Sequence, residues 1–222
     1  MKGLATRVVV VLAASFLFVA ACGGSNDEPP PTATPDETIE ATSEANEPDS
    51  ISIPVIDVDA PLTPRQLADD SGLPSPEGPY DVAIYDFGSG RSDLGGAPGQ
   101  GGNVVLGGQN LALQGCVGAD PPCDGVFRSL RQLSGGEALD LAWQGNAYRY
   151  QVVAMCVVPT AAFDDSLYTR TAQEQVTLLT GAGAWDNQRG WSHVLVVIAK
   201  PAPRTAIEPC PEGTEPVRSL GG

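Results

Sequence analysis

The chain has 222 residues and sets 12 Lys and Arg against 27 Asp and Glu, a formal net charge of −15. That balance excludes nucleic acid as a partner, because phosphate backbones are held by basic patches, and it excludes charge as the means of reaching an anionic membrane. The sequence contains no P-loop, no GxGxxG after a strand, no GxSxG and a single histidine, so neither a cofactor nor a metal is expected.

Residues 1–21 read as an export leader. Lys2 and Arg7 give a positive start, residues 8–20 form a short apolar run, and small residues follow beside a cysteine. The run is too short and its end too small-residued for a spanning helix. Val19-Ala20-Ala21-Cys22 resembles a bacterial lipobox. The resemblance implies cleavage before Cys22 and a diacylglyceryl group on its sulfur, with more than one acyl chain required for a stable anchor. The expected location is extracytoplasmic, on a membrane of a bacterial cell envelope. Residues 22–50 then form a tether. Residues 23–50 hold eight acids, no base and five prolines, and Ile39 is their only large apolar residue. Such a stretch buries too little surface to offset its ordering entropy, and in a polyproline-like form it would reach ~85 Å.

From Ile51 the composition changes. Short apolar runs alternate with Gly, Pro and Asp turns: ISIPVIDVDAPL, DVAIYDF, GNVVLGG, EALDLAW, AYRYQVVAMCVV, VTLLT and HVLVVIAK. Their β-branched content and spacing predict strands. Seven to eight of them in residues 51–203 point to an all-β fold, a single closed mixed β-barrel. One or two short helices are expected. FRSLRQL places Phe127, Leu130 and Leu133 on one helical face, and TAQEQVTLLTG has the composition to begin as a helical turn. Residues 204–222 read as a tail.

Export bears on the cysteines. With Cys22 lipidated, Cys116, Cys123, Cys156 and Cys210 remain, and an even number in an oxidising compartment favours two disulfides. Locality suggests Cys116–Cys123 and Cys156–Cys210, the second of which would pin the tail. Four cysteines allow three connectivities, and the sequence does not choose among them.

Single motifs carry little chemistry here, but their order carries more. After the opening ISIPVIDVDAPL come PGQGGNVVLGGQN, GVFRSLRQLSGGEALDL, AYRYQVVAM, VTLLTG and SHVLVVIAKP. Together they resemble the sortase family, in particular its compact class E/F-like members. Sortases are extracytoplasmic cysteine transpeptidases on a β-barrel. The resemblance implies a nucleophilic cysteine directly after T-L-x-T, a histidine after G-N-x-V-L-x-G and an arginine at the start of the last strand. A thiolate forms the acyl-enzyme, an imidazolium protonates the leaving amine and a guanidinium stabilises the oxyanion.

Carried over residue by residue, those three positions hold Gly181, Gln109 and Val194. Glycine forms no thioester, glutamine does not cycle a proton near neutral pH, and valine stabilises no oxyanion. The resulting expectation is a pseudo-sortase: a membrane-anchored lipoprotein that binds a peptide, a cell-envelope component or an envelope protein without catalysis. Gln109, Asn110, Thr180, Gly181 and Val194 would lie near the floor of its groove, a floor made roomier and more apolar by the losses. The alternative is a cysteine transpeptidase or hydrolase acting through a relocated pair, Cys156 and His193.

Overall fold

Some of the apolar runs alternate and some do not, and the difference sets the architecture. A computed structural model describes residues 48–67, 72–88, 91–111, 124–203 and 207–217. The leader, Cys22, residues 23–47 of the tether, Cys116 and Cys123 lie outside the described residues, whereas Asp49 and Ser50, read as the end of the tether, belong to the fold, Asp49 accepting the Gln144 and Leu62 N–H groups and Ser50 opening the first strand. Nine strands are found among the described residues. In chain order they are β1 (Ser50–Ile53), β2 (Val58–Gln66), β3 (Val82–Asp86), β4 (Asn103–Gly108), β5 (Ala138–Trp143), β6 (Asn146–Pro159), β7 (Gln175–Asp186), β8 (Gly190–Pro201) and β9 (Glu215–Pro216). The first eight are ordered β5-β1-β2-β3-β4-β7-β8-β6, and pairing of β5 with β6 closes the ring. The pairs β2–β3 and β4–β7 are parallel and the other pairs antiparallel. The fold is therefore the closed mixed all-β barrel expected from the sequence.

In β2 and β5 the alternating residues Val58, Ala60, Leu62, Leu139 and Leu141 point into the barrel, while Asp59 and Pro61 face water. In β4, β7 and β8 both faces are buried. Val104, Leu106, Val176, Leu178, Leu195 and Val197 fill the inside. Val105, Leu179, Val196 and Ile198 pack into a second cluster on the outside, under Phe87, Leu94, Leu167 and Tyr168. Near-continuous apolar runs are the sequence form of strands covered on both faces, and period-two alternation that of strands covered on one.

The helix-like spacing of FRSLRQL yields one 3-10 turn, Leu130–Gln132, not a helix. Phe127, Leu130 and Leu133 are buried nonetheless. The expected helical turn at 171–174 does not form. The Glu174 carboxylate instead accepts the backbone N–H groups of Gly99 at 3.1 Å and Gly101 at 2.9 Å, together with the Tyr150 hydroxyl at 2.5 Å. Gln175 then enters β7 directly opposite Asn103.

Of the cysteine pairings left open by the sequence, Cys156–Cys210 is made, with Cα atoms 5.7 Å apart. It ties the tail back as expected. The first half of β6 pairs with β5, and β9 pairs with β6 at Cys156 and Val157, beyond the end of β5. The tail therefore covers a stretch of strand edge that would otherwise be open. Among the described residues no helix is long and apolar enough to cross a membrane.

Candidate functional site

The residues singled out from the sequence come together where β4, β7 and β8 run side by side. Register places Gly107 opposite Leu179 in the parallel β4–β7 pair and Gly181 opposite Val194 in the antiparallel β7–β8 pair. Gln109 and Asn110 follow directly on the end of β4. Their polar groups are turned on one another. Thr180 Oγ1, which is buried, donates to the Gly108 carbonyl at 2.8 Å. Asn110 Nδ2 donates to the Gly181 carbonyl at 2.8 Å. Gln109 Nε2 makes a long contact of 3.4 Å with the Pro76 carbonyl, and the Gln109 carbonyl accepts from the Phe127 N–H at 2.9 Å. Val194 packs against the outer apolar cluster.

Gly181 lies within the run of β7, and its missing side chain has a specific consequence. A Cβ built there would lie 1.9 Å from Cδ1 of Trp191 and 2.3 Å from its Cγ and Nε1. The indole rests on the glycine backbone. Trp191 is opposite Trp185 in the hairpin, and the two rings meet edge to face at 5.3 Å, a favoured aromatic geometry. Thr160 Oγ1 donates to the Trp191 carbonyl at 2.7 Å and fixes the strand below the ring. The floor is thus not roomier, as the sequence suggested. The space freed at Gly181 is taken by an aromatic ring from the neighbouring strand.

The relocated Cys156–His193 pair does not form. The Cys156 sulfur is bonded to that of Cys210 and is fully buried. Cys156 pairs with Val196 whereas His193 pairs with Pro159. The two positions are three residues apart along the ladder, ~10 Å, and an odd offset puts their side chains on opposite faces. The His193 ring partners Ser192 Oγ through Nδ1 at 2.9 Å. Among the described residues no group of three or more His, Cys, Asp and Glu side chains is arranged to hold a metal.

Residues 51–202 match the family model described as Sortase domain. The chain belongs to the sortase family. Solved sortases share its fold at low identity. Sortase C-1 from Actinomyces oris aligns with a TM-score of 0.51 at 23% identity, covering 70% of this chain and 74% of that one. The pilus-related sortase C of Group B Streptococcus aligns at 0.52 and 17% identity, covering 72% and 69%. Comparison with curated proteins gives no match.

Within this sortase barrel the sequence located the neighbourhood of Gly181 but missed Trp191. The signal available was weak: two tryptophans flanking the turn DNQRG at residues 186–190. That turn implies a hairpin, but it does not reveal that the second indole reaches back to Gly181. A β-bulge between Ala182 and Trp185 shifts the register there, and no periodicity rule reports it.

Proposed function

We propose that this protein is a non-catalytic sortase-fold module, held to an extracytoplasmic membrane through a lipid on Cys22, that binds a peptide, an envelope component or an envelope protein. The observation that carries this reading is the Trp191 indole lying on the Gly181 backbone, where the family pattern places a cysteine side chain. A thiol at that position would have no space, and the flanking positions hold Gln109 and Val194 rather than an acid–base group and a cation. In protease triads, loss of such a set costs on the order of a million-fold in turnover.

The surface that Gln109, Asn110, Thr180, Gly181 and Val194 offer a partner is then shallow. Their hydrogen-bonding groups are largely engaged within the barrel. The added features are Trp191 and Trp185, the latter 38% exposed. Aromatic rings with one wet edge are common contact residues at interfaces.

The test is direct. Purified protein is incubated with sorting-signal peptides and an amine acceptor, then followed by intact-mass spectrometry and chromatography. The expected result is unchanged protein mass and uncut peptide. An acyl-enzyme or a joined product would overturn the reading. A parallel Cys22→Ala variant is expected to leave the membrane fraction, and its retention there would remove the lipid anchor from the proposal.

A further inference from the structure

The stretch GGAPGQGG, residues 95–102, sets a pair of glycines at each end of Ala97-Pro98-Gly99-Gln100. It leads into β4, which starts level with β7 at Asn103 and Gln175, so it lies at the end of the barrel away from Gly181. Its base is pinned there. The Asn103 N–H donates to the Gly95 carbonyl at 3.0 Å, the Gly95 N–H to the Tyr168 carbonyl at 2.8 Å and the Gln175 N–H to the Gly102 carbonyl at 2.9 Å, and Gly96 bridges to Gly102. Beyond that bridge the chain projects as a loop. Gly96, Ala97 and Gln100 form part of the wall of a cleft of about 780 Å³.

The tip of this loop is held by one side chain. Among the described residues, every hydrogen bond from residues 97–101 to a residue outside the loop ends on the Glu174 carboxylate. Oε1 accepts the Gly99 N–H and Oε2 the Gly101 N–H. Values of φ of +76° and +73° at these two glycines turn both N–H groups toward one point, the form of a backbone anion nest. A side chain at Gly99 would also strike Tyr148, its Cβ lying 2.5 Å from Cε1 of the ring. The Tyr150 hydroxyl, on a ring buried in the barrel core, donates to Glu174 Oε1 as well. Glu174 thus faces three donors, and among the described residues it forms no ion pair. Only a carboxylate serves all three. An amide has one acceptor oxygen and would aim its own N–H groups at the remaining donors.

We propose that residues 97–101 are a hinged wall of the cleft and that Glu174 is the latch that holds it. When the carboxylate lets go, the loop turns on its glycine pairs and the cleft widens. Segments that open locally are those with few ties to the core, and hinges are often small residues at the ends of the moving piece. Hydrogen bonds to an ionised acceptor are roughly twice as strong as neutral ones, so one carboxylate suffices to hold the tip. The pinned base keeps its bonds through the motion, and the ladder of β4 and β7 behind it is left whole. Glu174 is a positioning residue: it acts on the wall and not on the contents of the cleft. The inference concerns the end of the barrel opposite Gly181 and stands whether or not the Gly181 end is reactive.

Amide exchange of the purified, ¹⁵N-labelled protein tests this. In the parent, Gly99 and Gly101 are expected to open as one event, with a common protection factor below that of Val104 and Val105. Glu174→Gln keeps the shape of the side chain and should speed exchange at both glycines by about tenfold or more while β4 and β7 stay as they were. Glu174→Ala should lose the same protection. Sodium acetate should restore it saturably by filling the emptied nest, and sodium chloride of equal ionic strength should not. Nile red, an uncharged apolar dye, should bind both variants more tightly than the parent. Unequal protection of the two glycines in the parent, parent-like exchange in Glu174→Gln, or no slowing by acetate in Glu174→Ala would each overturn the latch. Acceleration spread evenly over the barrel would overturn it too, making Glu174 a support of the whole fold. Dye binding equal to the parent's would overturn the widening of the cleft. Peptide cleavage, measured separately, tests the earlier reading and not this one.

Discussion

At position 181 a single hydrogen atom lets a tryptophan lie flat against a strand. Restoring a side chain there should therefore act as overpacking. The Cβ of Gly181→Cys would begin 1.9 Å from Trp191 Cδ1, and either the ring or the strand must move. Overpacked sites lose ~1–3 kcal/mol, so the unfolding free energy of Gly181→Cys is expected to fall by that amount, seen as a lower urea midpoint with the slope unchanged. Removing the ring should relieve the clash. In Trp191→Ala the same glycine-to-cysteine change is expected to cost less by ~0.5–3 kcal/mol, the coupling typical of residues in contact. Additive losses in the double variant would show that the indole does not press on Gly181. Neither cysteine variant is expected to cut a sorting-signal peptide, because Gln109 and Val194 still flank the new thiol.

At the scale of elements, the longest strand depends on the shortest. β6 has 14 residues, and along Cys156 and Val157 its edge is covered by the two-residue β9. So short a strand does not hold by its ladder alone. It is retained by the Cys156–Cys210 bond, by the Lys200–Glu208 ion pair at 2.5 Å and by the Glu208 N–H donating to the Val153 carbonyl at 2.8 Å. The disulfide closes a loop with a sequence separation of 54, for which chain-entropy reasoning gives about 4 kcal/mol as an upper value. Cys210→Ser is expected to lose a large part of this and to expose the tail first. Amide exchange at Val157 and Glu208 should speed up before exchange in β4 or β7. Uniform acceleration across the barrel would argue against a separately opening tail. This element also marks a limit of legibility. The covered strands β4, β6, β7 and β8 were plain in the sequence, because burial on both faces writes itself as VVLGG, VVAMCVV and VLVVIA. A strand made of Glu215 and Pro216 has no periodicity to read. Its place comes from one covalent bond that four cysteines left undecided. Helix-like spacing misled for a related reason: Phe127, Leu130 and Leu133 needed only to be buried, and a single 3-10 turn sufficed. The order of motifs led to the Gly181 neighbourhood, whereas the reach of the Trp191 indole back across the hairpin to Gly181 left no local pattern.

Over the whole molecule, charge sets the pH range of stability, and the two limbs have different causes. Residues 51–222 carry 19 acidic and 10 basic side chains, so the barrel repels itself at neutral pH. As pH falls from 7 toward 5 that repulsion eases, and stability should rise slightly. Below this a specific loss takes over. The Tyr168 hydroxyl, and after it the Arg91 guanidinium, hold the Asp165 carboxyl below its ordinary value, and Ser166 does the same for Asp164. A depressed folded value contributes stability above the unfolded pKa of about 3.9, and that contribution is lost as pH falls through the folded value. On the alkaline side burial raises three phenols, Tyr85 to about 12 and Tyr150 and Tyr168 also upward. Groups raised in the fold contribute stability below about pH 10 and lose it as pH rises further. Melting temperature against pH is therefore expected to peak near about pH 5, fall below about 4 and fall again above about 10. Salt separates the causes. Added sodium chloride should raise the neutral-pH melting point by screening exposed charge but should not rescue the alkaline limb, which comes from burial. Asp165→Asn should melt lower than the parent at neutral pH, with the gap closing as the parent's own Asp165 protonates. A gap that persisted unchanged in acid would place the role of Asp165 in shape rather than charge.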